Sequence, residues 1–225
     1  MARLTPNCDP GKLIAVEGID GCGKSTQISR LARWLRSQGV TVESVEANTS
    51  NFLGEAVRRG KDGRLFTSTS LSLLQAAEFA NRLENQIVPA LRAGAVVCAD
   101  RYAFTAFARD VARGADREWI RTVYGFAIQP DLCFWFHIPV EEALERILDS
   151  RPGLAYYEAG MDLNLSRDSR ASFRAFQQVV AEQYEEMAEE LGFHIIDGMR
   201  PVHEQQSEIR RVVAEKLGLT PAEES

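Results

Sequence analysis

The sequence is poor in cysteine and histidine and has no surplus of positive charge. Its four cysteines, Cys8, Cys22, Cys98 and Cys133, form no CxxC pair, and only three histidines accompany them. A zinc-ligand cluster is therefore not indicated. Cys22, Cys98 and Cys133 lie in glycine-rich or apolar runs and read as reduced core thiols of a cytosolic protein. Basic residues number 26 against 32 acidic ones, a net charge of −6. A duplex-binding domain carries a basic excess or a basic face, so nucleic acid is not expected as the main partner. A few local arginines would still suffice for a small phosphorylated ligand. No run approaches the ~18–20 apolar residues of a membrane span. Residues 1–10 are polar, with Pro6 and Pro10, and lack the apolar stretch of a secretory signal.

What is present is an ordinary globular composition, 45% apolar and 26% charged over 225 residues. That fits one large domain. The run Lys12–Glu17 (KLIAVE) predicts a buried strand that ends in a glycine loop. From Lys24 to Arg36, the spacing of Ile28, Leu31, Trp34 and Leu35 predicts a helix, which Gly39 stops. Further strands are expected at Val40–Val45, Ala95–Ala99, Asp131–Ile138 and Phe193–Ile196. Helices are expected at Leu71–Leu91, Asp116–Ile128, Val140–Leu148, Ser169–Leu191 and Pro201–Leu217. Residues 46–69 and 149–168 show no steady period, and Thr220–Ser225 is expected to fray. Strands that alternate with helices and are apolar on both faces argue for a parallel sheet covered on each side. The expected fold class is thus α/β and three-layered, in a single domain over 1–225.

The glycine loop carries the chemistry. Gly18-Ile19-Asp20-Gly21-Cys22-Gly23-Lys24-Ser25 matches G-x-x-x-x-G-K-[ST], between a predicted strand and a predicted helix. Such a string arises by chance in about one per cent of chains this long. Its glycines let successive N–H groups point at phosphate oxygens, and the helix adds the positive end of its dipole. Lys24 is expected to reach the β and γ phosphates of a nucleoside triphosphate, Ser25 to ligate Mg²⁺, and Thr26 to cap the helix or touch the α phosphate. An NKxD-type guanine-reading motif does not occur in the sequence, which leaves ATP as the expected donor. Downstream, Asp100 ends an all-apolar strand, where ligands of open α/β sheets bind. It reads as a second magnesium or acceptor contact, with Arg101 beside it for a phosphate.

Together, Val16–Gln27, Asp100-Arg101-Tyr102, Pro130-Asp131-Leu132 and Phe193–Gly198 resemble the thymidylate kinases, in order and spacing from about residue 12 to residue 210. The resemblance implies a P-loop nucleoside monophosphate kinase fold with a five-stranded parallel sheet, a core over about 12–217 and a mobile lid over about 149–168. It also implies a homodimer and transfer of the ATP γ-phosphate to a nucleoside monophosphate. By position it gives Asp20 a place near the acceptor sugar hydroxyl, Asp100 one near metal and acceptor, and Arg101 one on phosphate. Thr105 stands where the family commonly has Ser. Cys22 occupies a loop position that is arginine in some members. Members without that arginine place basic residues in the lid, here Arg151, Arg167 and Arg170, and Arg167 is the expected catalytic cation.

The acceptor half departs from the family. Its Arg-Glu-Pro is replaced by Val45-Glu46-Ala47-Asn48-Thr49-Ser50-Asn51. Alignment through Pro89 puts Ala76 and Phe79 where the family stacks and bonds thymine, with Arg82 one turn further. Tyr156 and Tyr157 read either as a stacking platform for a ring or as packing of the lid on the body. Arg109-Asp110 and Arg113 read as contacts to an anionic acceptor or, with the balance toward it, as a surface ion-pair face. The expected activity is phosphorylation of dTMP. The alternatives are a kinase of the same fold with another acceptor, or a nucleotide-binding regulatory module.

Overall fold

The structure, a computed structural model, describes residues 4–47 and 54–219. Five strands form one all-parallel sheet: β1 (Lys12–Glu17), β2 (Val42–Glu46), β3 (Val96–Asp100), β4 (Leu132–His137) and β5 (His194–Asp197), in spatial order β2-β3-β1-β4-β5. The central strand β1 aligns Val16 with Asp100 of β3 on one side and with Phe134 of β4 on the other. The chain leaves β1 toward β2 and β3, then crosses back to β4 and β5. The reversal lies over the carboxyl end of β1, where such sheets open a ligand crevice. The family fold expected from sequence is the one observed.

The three inner strands are buried nearly throughout, as near-continuous apolar runs require. The two edge strands differ from expectation. In β2 (VESVE) only Val45 is buried, and in β5 (HIID) only Ile196, because an edge strand has one covered face. The helices are α1 (Lys24–Ser37), α2 (Gly54–Asp62), α3 (Ser68–Arg82), α4 (Val88–Arg92), α5 (Ala103–Ala112), α6 (Arg117–Val123), α7 (Val140–Ser150), α8 (Ser169–Leu191) and α9 (Val202–Leu217). The long helix expected over Leu71–Leu91 is three pieces: α3, a π turn over Leu83–Ile87, and α4. Pro89 has no N–H to donate, and the column widens just before it, with the Val88 N–H reaching back to the Leu83 carbonyl.

Helix α6 stops at Val123, five residues earlier than its apolar spacing suggests. Ile128 instead bridges to Thr5, and the Ala127 carbonyl accepts from the Thr5 N–H at 2.9 Å. Helices α2 and α5 were not expected. The first is short and buries little beyond Gly54, Val57 and Gly60. The second carries a buried face that includes Ala103, Phe104, Ala106 and Phe107, which the sequence reading passed over. Asp131 has a structural role: its carboxylate accepts from Asn7 Nδ2 (2.6 Å), the Leu13 N–H (2.9 Å) and Lys12 Nζ (3.1 Å), which ties the first residues to the start of β1. Cys22, Cys98 and Cys133 are buried and free, and burial pushes the Cys98 thiol up to about 12. Among the described residues no helix is long and apolar enough to cross a membrane.

Candidate active site

The turn from β1 into α1 is built by backbone. Gly21 has φ of +83°, and a Cβ there would sit 2.5 Å from the Ala143 carbonyl oxygen of α7, so only glycine fits. Gly23 caps α1 at φ of +95° and has no atom within 4 Å of its missing Cβ. It leaves the helix N-terminus open to a ligand. Lys24 is buried, yet its ammonium meets only neutral acceptors: the carbonyls of Ile19 (2.6 Å) and Gly18 (2.9 Å) and Cys22 Sγ at 3.2 Å. Among the described residues no carboxylate lies within 4.0 Å of it. A buried cation without an ion pair at a helix N-terminus calls for an anion. Cys22 therefore lies behind the loop as a soft acceptor for Lys24, 1% exposed.

Two cavities meet over this turn. The smaller, about 260 Å³, is lined by Gly21, Gly23, Lys24, Ser25 and Thr26, then Arg101 and, from α7, Arg146, Ile147 and Ser150. The larger, about 970 Å³, lies between α2, the 151–158 segment and α5. Asp20, Lys61, Arg64, Arg109, Arg151 and Tyr156 are among its walls. Arg101 alone lines both, so its guanidinium stands at their junction. It also has φ of +69°, one of three such non-glycine residues among those described, and strained backbone of this kind concentrates at functional sites.

Asp100 sits where a metal ligand is expected. The Ser25 hydroxyl donates to Asp100 Oδ2, while Oδ1 is buried with no partner. An orphaned carboxylate oxygen beside a hydroxyl is a hard oxygen donor set, which suits Mg²⁺. Among the described residues no group of three His, Cys, Asp or Glu side chains could hold a metal alone. The remaining ligands would come from phosphate and water, as is usual for Mg²⁺. Asp100 does not cap α5; the residue at that cap is Tyr102.

Asp20 faces the larger cavity rather than the phosphate cleft. Its carboxylate takes both Arg101 and Arg109, and Gln177 Nε2 at 3.3 Å. Burial would raise its pKa, but Arg109 and Arg101, with Lys24 beyond them, hold it well below the usual carboxylate range. Lys61 of α2 faces the same cavity. Burial, together with Arg109, Arg113 and Arg101 nearby, lowers its pKa from the ordinary 10.5 to about 8. Six cations and four carboxylates line this cavity. Two arginines share Asp20, and Arg58 and Arg151 pair with Asp62 and Glu158. Positive charge is therefore in excess around Lys61 and Asp20.

The expected lid is packed on the body. Arg64 lies 4.4 Å over the Tyr156 ring, and the Tyr157 hydroxyl accepts from the Phe66 N–H at 3.4 Å. The packing alternative for the two tyrosines is the one found, although both rings still line the large cavity. Arg113, expected on the surface, is buried and donates to Asp162 Oδ2 (2.9 Å) and the Tyr157 carbonyl (2.6 Å). Asp110 is buried on Ser72, and Arg109 on Asp20, so the surface ion-pair face is corrected to an internal network. Arg167 and Arg170 are exposed and line neither cavity; of the three lid arginines only Arg151 does.

Phe79 packs among Tyr102, Tyr124 and Phe126 in the core, Ala76 is buried, and Arg82 pairs inside the protein with Glu78 at 4.0 Å. None of the three is among the residues that line the large cavity, and Arg82 Nε and Nη1 are buried without a hydrogen-bond partner among the described residues. Asn48–Asn51, which stand at the Arg-Glu-Pro place, lie outside the described residues. Sequence reasoning missed Lys61, because α2 is short and polar apart from Ala56 and Val57, and Arg146, held by Glu142 (2.7 Å) and the Gly198 carbonyl (3.0 Å). It also passed over Glu17, buried on Tyr102, Thr105 and Tyr184.

A family profile for thymidylate kinase matches residues 16–209. A protein of Saccharolobus solfataricus named "Probable thymidylate kinase 2" is 38% identical over 208 residues, which cover 92% of this chain and 97% of that one. The thymidylate kinase of Fervidobacterium nodosum is 31% identical over 204 residues, 88% of this chain and 96% of its own. That of Desulfotalea psychrophila is 40% identical over 147 residues, 64% and 71% of the two chains. Profile, relatives, parallel sheet and phosphate loop agree: the chain belongs to the thymidylate kinase family.

Proposed function

We propose that the chain transfers the γ-phosphate of ATP to a nucleoside monophosphate, converting dTMP to dTDP. The observation that carries this is the junction of two cavities at Arg101, one built for a triphosphate tail and the other rich in cations. In the transfer, the bond from the γ phosphorus to the β–γ bridging oxygen breaks and one to an acceptor phosphate oxygen forms. The protein's part is placement and charge neutralisation. The loop amides and Lys24 hold the donor phosphates. Arg101 reaches the transferring group from the junction. Asp20, Arg109 and Lys61 receive the acceptor, whose phosphate meets the excess positive charge. Arg151 is the lid cation nearest this chemistry, and Arg167 would reach it only after the lid rearranges. Ser25 and Asp100 would hold Mg²⁺, whose chemistry is to neutralise phosphate charge.

Cation excess on the acceptor side favours a monophosphate over a bare nucleoside. A coupled assay with ATP, magnesium and a panel of acceptors tests this. We expect turnover of dTMP and none of thymidine; ATP binding without transfer to any monophosphate would overturn the reading. We further propose a homodimer, tested by light scattering, and action in the cytoplasm, in keeping with three buried free thiols.

A further inference from the structure

We propose that Glu17 is a positioning residue for phosphoryl transfer: from the end of β1 it clamps the turn that carries Arg101 and sets that guanidinium between the two cavities. This rests on the function proposed above for Arg101. Glu17 is fully buried, and no arginine or lysine lies within 4.0 Å of its carboxylate in the described structure. All of its acceptor capacity goes to three residues. Oε1 accepts the N–H of Tyr102 at 2.7 Å and of Thr105 at 3.2 Å. Oε2 accepts the hydroxyls of Thr105 at 2.6 Å and Tyr184 at 2.7 Å.

Tyr102 is the N-cap of α5 and its own side chain makes no capping bond. Tyr102 and Thr105 are the N-cap and third positions of that helix. Glu17 thus supplies, from another strand, what a capping box supplies from within a helix. Arg101 immediately precedes this cap, in left-handed backbone that an arginine rarely adopts. Its N–H donates to the Val16 carbonyl at 3.1 Å, one residue before Glu17. The end of β1 therefore grips the turn on both sides of the strained residue. One turn beyond Thr105 along α5, Arg109 joins Arg101 on Asp20. Through Tyr184 the same carboxylate also touches α8, the helix that follows the lid segment. A hydrophobic residue at this position would fill the space but leave the Tyr102 N–H unpaired and the Thr105 N–H with only the Tyr102 carbonyl, at 3.1 Å.

The test compares Glu17→Gln with Arg101→Ala and with the double variant, using ATP and dTMP. Thermal unfolding and binding of a fluorescent ATP analogue serve as controls. We expect Glu17→Gln to lower kcat by about 10–100-fold with ATP-analogue affinity within about threefold, since the loop amides are untouched. The double variant should be no slower than Arg101→Ala alone, because both changes act through one guanidinium. Amide hydrogen exchange without substrates should rise over Arg101–Thr105 and stay unchanged over Gly18–Ser25. If Glu17→Gln does not fold, Tyr184→Phe and Thr105→Val each remove one donor and should lower kcat by about 3–10-fold. Unchanged kcat in a folded variant, multiplicative losses in the double variant, or loss of ATP-analogue binding would overturn the proposal. A wild-type chain inert toward dTMP would sink the acceptor assignment instead, and the exchange pattern would still decide the clamp.

Discussion

In the donor cleft, five of the nine lining residues come from one stretch, Gly21–Thr26. The larger cavity has fifteen lining residues, gathered from the phosphate loop, α2 and Arg64 just after it, the turn before α5, α5 itself and the 151–158 segment. The first is made mostly of backbone: glycine conformations, amide directions and a helix end. The second is made of side chains whose charges are balanced against one another. A backbone cradle needs particular residue types at fixed spacing, so it tolerates little variation. A cavity lined by side chains can be refilled from other elements. In this chain Lys61 and Arg109 line the larger cavity, and Ala76, Phe79 and Arg82 are buried in the core.

The sharpest way to break this contrast is Lys24→Ala. With its ammonium gone from the cradle, kcat should fall by about 10³-fold or more. Retained turnover in the coupled assay would show that the loop is not the donor site. Arg101→Ala should cost about 10²–10³-fold in kcat, the range for one group that stabilises transition-state charge. Because Arg101 borders both cavities, kcat/KM for both substrates should drop. A change confined to one substrate would place it wholly on that side.

Smaller effects separate the halves. Asp20→Ala removes the shared partner of Arg101 and Arg109 and should raise the acceptor KM by about tenfold with little change for ATP, as expected for loss of charge-assisted hydrogen bonds. Lys61 gives a dependence on pH. Below about 8 it is cationic and attracts the acceptor phosphate; as pH rises through about 8 it loses its proton and the acceptor KM should climb. A bound phosphate favours the charged form, so the step in the complex lies above that value. Lys61→Arg should abolish the step, and an unchanged profile would remove Lys61 from the acceptor site. The smallest effect is expected at Arg167→Ala, with kcat within about twofold, as for an exposed surface charge. Arg151→Ala should cost more. The reverse order would return the lid cation to Arg167.

Much of the donor side is legible in the sequence. The spacing from Gly18 to Ser25 implies the turn, the helix start and the anion site together, because each glycine answers a local backbone demand. Asp100 is legible for a related reason: an acid after an all-apolar strand has few other places to go. The acceptor side is not. Arg113, Arg109 and Asp110 look like a surface charge pattern, and only the packing of α5 against the phosphate loop, α3 and the lid segment makes them internal. Lys61 sits on a short helix with only Ala56 and Val57 as apolar side chains to announce it.

Residue order alone thus specifies what depends on neighbours along the chain: alternating strands and helices, a phosphate-binding turn, and a family. Folding in three dimensions settles what depends on distant residues meeting. It puts Glu17 under the Arg101 turn, Arg109 on Asp20, and the phenylalanine aligned with base reading into the core. Local backbone conformation is set by a few adjacent residues, whereas the partner of a buried charge is set by which helices happen to pack beside it.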